Sequence, residues 1–508
     1  MKPDSGESVP VWAAMEEAAP HTQLFGTATA DVCVVGAGIA GLTTAYHLAR
    51  EGKSVIVIDD GLVGGGESCR TTAHLASALD EHYAEIEKSF GADGARLAYA
   101  SHSAAVDRIE EIVGREAIAC EFTRLDGYLV LHAGGPSDML KNEFEACKRT
   151  GIPGMEYPAS VPYARYDFGA AVKYPMQGQF HIMKYLNGLA HAIRRMGGEI
   201  YTYTHADTVK GGSSAMVQTS TGAVVSCAAV VIATNTPFNN LVAIHTKQAP
   251  YRTYVIGARI PKDSYPLMLL WDTGDPYHYV RRTPFDGYDM LIVGGEDHKT
   301  GQAHDQELRL NNLEGWARER FPMIESVDYR WSGQVMEPVD GLAYIGRNPM
   351  DEENVYIATG DSGNGMTHGT IAGMLITDLI MNRENPWAKL YDPSRMTLAG
   401  AGEFVKENIN VAAEYMELIT GGEAKHKADV MPGGGAVIRE GLKKHAVYRD
   451  LEGDFHVHSA VCTHLKCIVS WNPLEKTWDC PCHGSRFDNI DGHVINGPAI
   501  SPLTPVEE

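Results

Sequence analysis

Apolar positions along the chain fall into distinct rhythms. Residues 31–35 (DVCVV) form an unbroken, largely β-branched run. GAGIAG follows, then a stretch that puts Leu42, Ala45, Tyr46 and Ala49 on one helical face and stops at Gly52. A second continuous run, SVIVIDD, completes a β-α-β unit over 31–60, half of a nucleotide-binding sheet. Beyond it, 126–132, 199–211, 223–236, 251–260 and 289–297 read as strands, whereas 95–114, 138–149 and 182–196 carry helical spacing. Residues 353–382 repeat the opening theme: a strand, a Gly-rich turn and an apolar helix with Ile371, Met374, Leu375 and Leu379. Between 383 and 427 the character changes, with Pro386, Pro393, the small-residue stretch LAGAG, a helical pattern over 403–419 and then GGEAKHK. From 428 to 508 short strands alternate with Gly, Asn and Pro turns, as in a small all-β domain whose size often calls for a metal or disulfide. The expected fold is therefore an α/β nucleotide-binding domain with an inserted α+β domain, followed by a small all-β domain.

Length and composition narrow the possibilities. A chain of 508 residues implies about three domains, and 44% hydrophobic with 21% charged residues is ordinary globular usage. A net charge of −22, with the acid spread along the whole chain, argues against nucleic acid as a partner. No apolar run is long enough for a membrane span, and the first 30 residues are broken by Pro, Gly and acids, which points to a cytoplasmic protein without a secretory signal. Of nine cysteines, Cys33, Cys69, Cys120, Cys147 and Cys227 are scattered, while Cys462, Cys467, Cys480 and Cys482 crowd together near the C-terminus. Such a cluster in an unsecreted protein more often binds metal.

That cluster reads Cys-Thr-His-Leu-Lys-Cys over 462–467 and Cys-Pro-Cys-His-Gly-Ser over 480–485. Each loop can offer one sulfur and one nitrogen, but the Cys-x-His pair fits zinc spacings poorly. The pattern resembles the Rieske [2Fe–2S] motif of cytochrome bc complexes and related ferredoxins. By that resemblance Cys462 and Cys480 would bind one iron, His464 and His483 the other, and Cys467 and Cys482 would form the loop-bridging disulfide. Two histidines in place of two thiolates leave such a centre less negative and easier to reduce, at about −150 to +300 mV. Ser485 stands where the family's serine donates to a bridging sulfide, but Phe487 replaces the tyrosine of high-potential members, so a potential below the top of the range is expected.

Gly36-Ala37-Gly38-Ile39-Ala40-Gly41 lies between a strand and a helix, with Asp59 (Asp60 by an alternative register) at the end of the next strand. Gly36 would permit the tight turn, Gly38 the approach of a pyrophosphate, Gly41 close helix–strand packing, and the acid would hold ribose hydroxyls. The loop that follows, GLVGGGESCRTTAHL, resembles that of D-amino-acid-oxidase-like flavoproteins (glycine and sarcosine oxidase type), where it contacts FAD; Ser68, Arg70, Thr71 and Thr72 are the corresponding candidates. In the order of that family, Val209 would touch adenine, and Ala233 and Thr234 would meet FAD at a strand end. Gly363, Asn364, Gly365, Met366 and Thr367 would place backbone N–H groups at the flavin. The resemblance implies an FAD-dependent oxidoreductase over 1–382. Its FAD-binding parts would be about 28–80, 199–240 and 330–382, and its substrate-domain parts about 81–198 and 241–329. A connecting segment over 383–427 and a Rieske domain over 428–508 would complete the chain. EPVDGLAYIGR, LIVGGEDHKTGQ and DPYHYVRR are similar to members that carry such a fusion.

The pairing of FAD with a [2Fe–2S] centre implies oxidation of a small amine or amino-acid-like substrate at the flavin, with single electrons leaving for an external carrier. The reverse flow, with the Rieske centre feeding a flavin reductase, is the first alternative; an electron-transfer module without substrate is the second. A third, a mononuclear-iron oxygenase, would need a two-histidine, one-carboxylate set, for which His298, His304, Asp297 and Asp305 are the nearest residues. Candidate substrate residues are Tyr251, Arg252, Tyr254, His278 and Arg281, where an arginine would grip a carboxylate. Lys247 and His74 are further candidates, and Cys69 or His74 could tether the flavin.

Overall fold

The computed structural model describes residues 4–16, 22–239, 244–414 and 422–506. The opening β-α-β unit forms as expected: Val32–Val35 and Val55–Ile58 pair in parallel, joined by the helix Ile39–Arg50. Both strands alternate between two cores. Val32, Val34, Val55 and Val57 face the layer holding Leu42 and Tyr46, while Cys33, Val35, Ile56 and Ile58 face Val217 and Val225 of a neighbouring sheet. At roughly 1.5–3 kcal/mol for each fully buried aliphatic side chain, this two-sided burial fixes the register.

The six-stranded sheet runs Tyr344–Arg347, Val355–Thr359, Ala229–Ile232, Val32–Val35, Val55–Ile58, Glu199–Tyr201, and is parallel except for its first strand. The apolar run 223–236 is not one strand. Val224–Cys227 joins a four-stranded sheet with Thr27–Thr29, Ala215–Thr219 and Ala206–Lys210, and the chain crosses to the larger sheet at Ala228. The stretch 199–211 divides in the same way. The helical stretch 95–114 is the C-terminal part of a longer element, His82–Glu116, interrupted at Gly91, where φ is +72°.

An eight-stranded sheet forms the inserted layer. It is built around Gln248–Pro261, which pairs with both Tyr288–Lys299 and Ser326–Pro338. The C-terminal part holds a three-stranded sheet (Gly435–Glu440, Lys443–Arg449, Phe455–Ser459) and a four-stranded one (Ser470–Asn472, Thr477–Asp479, Arg486–Asp488, Val494–Asn496). The helix over 403–419 appears as Leu398–Glu414, and 415–421 lie outside the described residues. Among the described residues no helix is long and apolar enough to cross a membrane.

Candidate functional site

A cavity of about 300 Å³ opens at the C-terminal ends of the parallel strands, where open α/β sheets bind ligands. Gly36, Ala233 and Gly360, each directly after a strand, line it, as do Gly38, Ile39, Ala40, Asp59, Asp60, Thr234 and the loop residues Ser68, Arg70, Thr71 and Thr72. The glycines are sterically required. Gly36 has φ +109°, and a Cβ there would meet the Ala233 carbonyl oxygen at 2.4 Å; at Gly41 it would meet the Gly36 oxygen at 1.8 Å. Gly41 thus supports the turn without lining the cavity. Ser68 Oγ accepts the Ile39 N–H at 3.1 Å, and Asp59 Oδ2 accepts that of Ala37 at 2.5 Å. Burial, and then the charge of Asp60, push the Asp59 carboxyl up to about 7. Asp60 contacts His205 instead, 3.2 Å from its Nδ1. A glycine cradle, a helix start and an acidic strand end together suit a dinucleotide.

Opposite the cradle, Gly363, Asn364, Gly365 and Met366 border the cavity at the start of the helix Gly365–Ile380. Thr367 does not: its hydroxyl pairs with His102 Nδ1 at 2.8 Å, because the helical turn carries it towards the helix His82–Glu116. Val209 is also elsewhere, packed in the core of the four-stranded sheet, and the cavity is met three residues earlier by Ala206 with Thr204 and His205.

Of the substrate residues expected from the sequence, only His74 lines the cavity. Tyr254 turns away and pairs with His298 Nε2 at 2.9 Å, whereas its neighbour Thr253 faces inward. His278 pairs with Asp272 at 2.9 Å and stacks on Trp316. The Arg281 guanidinium donates to the carbonyls of Thr72, Ala73 and Phe180. Tyr251 lies under the Lys299 ammonium, and Lys247 donates to the carbonyls of Pro393 and Arg395. Arg252 is buried at the junction with the C-terminal part. Alternation accounts for three of these: Arg252 and Tyr254 flank the inward-facing Thr253, and His278 lies between the inward-facing Tyr277 and Tyr279. The walls come instead from Thr253, Trp271, Tyr277, Tyr279, Asp80, Asp297, Gln334, Glu337 and Asp361. Cys69 donates to the Gly65 and Gly66 carbonyls and burial pushes its thiol up to about 12, which leaves it unreactive. His74 lines the cavity with Nδ1 on the Thr72 hydroxyl at 2.9 Å. The residues considered for mononuclear iron are dispersed: Asp297 is in the cavity wall, His298 on Tyr254, Asp305 on Arg309 and His304 is largely exposed near Glu423.

In the C-terminal part the two short loops converge. Cys462 lies beside Cys480, and Cys467 and Cys482 are joined in a disulfide. The rings of His464 and His483 are 5.0 Å apart, edge to face. His483 Nδ1 is buried without a hydrogen-bond partner, and burial pushes its imidazole down to about 3, so a neutral nitrogen is aimed at nothing the protein supplies. Two thiols and two imidazoles with an orphaned donor suit a cluster with mixed sulfur and nitrogen ligands. Ser485 Oγ accepts the Ala499 N–H at 3.0 Å and sits beside the Cys462 sulfur, while Phe487 is fully buried.

The two sites adjoin. Val494, Ile495, Asn496, Gly497, Ala499 and Ile500 line the large cavity, and Gln334 Nε2, also in its wall, donates to the Gly484 carbonyl at 3.0 Å. His245 packs against both histidines of these loops, at 5.0 Å from His464 and 6.0 Å from His483. A buried ionic knot clamps the parts together. Arg70 meets Glu475 at 3.0 Å, Arg486 meets Asp479 at 3.2 Å, and Arg252 lies 3.8 Å from Asp479. The N-terminal segment joins it: Arg70 donates to Ser5 and Ser8, and Arg486 to the Ser5 carbonyl. The Arg70 guanidinium is thus spent on this junction. Burial pushes Glu475 and Asp479 up, but the surrounding guanidiniums outweigh it and hold both below the usual carboxylate range. Nothing in the local pattern of residues 4–12 signals this role.

The family model of FAD-dependent oxidoreductases (DAO) matches residues 31–379, and that of the Rieske [2Fe-2S] domain matches 423–507. A Bacillus subtilis (strain 168) protein named as a Rieske 2Fe-2S iron-sulfur protein, YhfW, is 33% identical over 484 residues, 94% of this chain and 93% of its own. Gamma-glutamylputrescine oxidoreductase of Escherichia coli (strain K12) is 29% identical over 378 residues, 71% of this chain and 86% of its own. The crystal structure of glycine oxidase from Geobacillus kaustophilus superposes with a TM-score of 0.60 at 21% identity, covering 73% of this chain and 99% of that one.

Proposed function

The chain belongs to the FAD-dependent oxidoreductase family and ends in a Rieske [2Fe-2S] domain, and from that premise we propose that it oxidises a small amine or amino-acid-like substrate in the large cavity and delivers single electrons to an external carrier. FAD supplies a two-electron oxidation when bound, and a [2Fe-2S] centre supplies one-electron transfer. Gly36, Gly38, Ile39, Ala40, Asp59, Ser68, Ala233 and Thr234 would hold the dinucleotide, and Gly363 to Met366 its far end. Cys462, His464, Cys480 and His483 would hold the cluster.

The observation that carries this reading is the Gln334 bridge, in which a side chain of the cavity wall is bonded directly to the loop between His483 and Ser485. Val494, Ile495, Asn496, Gly497, Ala499 and Ile500 of the C-terminal part complete the cavity wall. His245 sets the flavoprotein part against both cluster histidines. Relatives named for gamma-glutamylputrescine and for glycine support the substrate class. Anaerobic rapid mixing of the fully loaded protein with an amine panel tests the proposal. Bleaching of the flavin absorbance followed by appearance of the reduced-cluster electron-spin signal is expected. Bleaching only after addition of a reduced ferredoxin overturns the direction of flow.

A further inference from the structure

Each arginine that could grip a carboxylate is committed elsewhere. Arg252 and Arg70 belong to the ionic knot, and Arg281 is held by three carbonyls. Arg70 is the only Lys or Arg among the described residues lining the cavity. The cavity histidines supply little charge, since burial pushes His74 down to about 3 and His368 to about 4; His205 is at the rim, on Asp60. Arg309, the guanidinium nearest Asp297, is spent on Asp305 and on the carbonyls of Glu296 and Asp297.

The acidic groups are disposed in the opposite way. Asp80, Asp297, Glu337 and Asp361 all line the cavity. Asp80 presses on Gly363, where a Cβ would lie 1.7 Å from its Oδ2, and it accepts from the Tyr277 hydroxyl at 2.9 Å. Asp297 Oδ1 is buried with no hydrogen-bond partner. Glu337 accepts from Ser362 at 2.8 Å. Burial first, with mutual repulsion adding to it, pushes Asp80 and Asp297 up to about 7 and raises Glu337 as well. The adjoining wall is aromatic: Trp271, Tyr277 and Tyr279, the last two with ring centroids 5.3 Å apart. Carboxylates without counter-ions beside aromatic faces are the chemistry that recognises a cation.

We propose that Asp80, Asp297 and Glu337, walled by Trp271, Tyr277 and Tyr279, bind the substrate's positive charge, so that the preferred substrates are diamines or polyamines without a free carboxylate. This deepens the amine-oxidising reading above and rests on it for the reaction, though not for the binding. One ammonium sits among the carboxylates, and the second, protonated in free solution, releases its proton to solvent on binding, which leaves a neutral amine for oxidation.

The test compares butane-1,4-diamine with 4-aminobutanoate, which has the same chain length but ends in a carboxylate, on the fully loaded oxidised protein. Two readouts run in parallel: saturable perturbation of the flavin absorbance with thermal stabilisation, which report binding alone, and anaerobic bleaching, which reports oxidation. The diamine is expected to bind about 10–100-fold more tightly, and Asp297→Asn and Asp80→Asn are each expected to narrow that ratio by about 10-fold. Equal or tighter binding of 4-aminobutanoate overturns the proposal, as does binding of neither, or an unchanged ratio in both variants. Selective diamine binding without bleaching sinks the oxidation reading and leaves the cation site standing. Bleaching by 4-aminobutanoate or glycine in preference to the diamine does the reverse.

Discussion

Two sets of carboxylates, one buried at the junction and one half-buried around the cavity, meet opposite fates in this molecule. At the junction, Glu475 and Asp479 are surrounded by Arg70, Arg252 and Arg486 and stay ionised below their usual range. In the cavity no guanidinium acts on Asp80 or Glu337 among the described residues, Asp297 has only Arg309, which is engaged with Asp305 and two backbone carbonyls, and all three acids are pushed upward. The two sets are equally acidic in sequence, so the difference lies entirely in where the guanidiniums were placed. Charge that is neutralised internally holds parts of a fold together, whereas charge left uncompensated in a cavity is available to a ligand.

The largest effect expected from this contrast is on stability. Glu475→Ala would leave the Arg70 guanidinium buried at the junction without its carboxylate, remove one of the acids that hold Arg252, and cost about 3–5 kcal/mol in chemical unfolding. Asp297→Asn removes an uncompensated acid and is expected to leave stability unchanged or raise it. Equal losses in the two variants would erase the distinction between junction and cavity.

Acid–base behaviour sharpens it next. Asp80 and Asp297 are raised in the folded protein, so the folded state holds more protons than the unfolded chain between about pH 4 and 7, and stability falls as pH rises through that window. Glu475 and Asp479 are lowered, so their contribution is present above about pH 4 and is lost only as pH falls through their depressed values. The stability difference between the substrate-free protein and Asp297→Asn, followed by unfolding between pH 5 and 8, should therefore move against the native protein as pH rises, by about 1 °C in Tm for each kcal/mol in a chain of this length. The comparison cancels the buried histidines His74, His368 and His483, whose depressed values act in the opposite sense. A difference that does not change with pH, or that moves the other way, contradicts the assignment of an uncompensated acid to the cavity.

The same contrast marks what the sequence could disclose. The cluster loops and the glycine turn are legible because their chemistry is local: Cys462-x-His464 and Cys480-x-x-His483 each sit within one loop, and Gly36 to Gly41 within one turn. The cavity walls draw on Asp80, Trp271, Tyr279, Asp297 and Glu337, brought together from distant segments by an eight-stranded sheet whose pairing no local pattern announces. Even where the correct strand was identified, the face was not. Arg252 and Tyr254 carry the chemistry expected of a substrate site, but Thr253 between them is the residue that looks inward. The ionic knot was hidden for a related reason, since its members lie in the N-terminal segment, the flavin loop, the inserted sheet and the C-terminal part.

The smallest effect concerns that question of face. Tyr254 and Tyr279 each make one buried hydroxyl hydrogen bond, to His298 Nε2 at 2.9 Å and to the Thr253 hydroxyl at 2.7 Å respectively. Replacing either with Phe removes one such bond and should cost about 0.5–1.5 kcal/mol of stability in both cases. Their kinetics should separate. Only Tyr279 borders the cavity, so Tyr279→Phe is expected to raise KM for an amine substrate about fivefold, equivalent to about 1 kcal/mol, whereas Tyr254→Phe leaves KM unchanged. Because the two variants remove the same chemical group from the same sheet at a similar cost to the fold, a shared KM effect would assign the change to loosened packing, and a divided one assigns it to the direction in which each ring points.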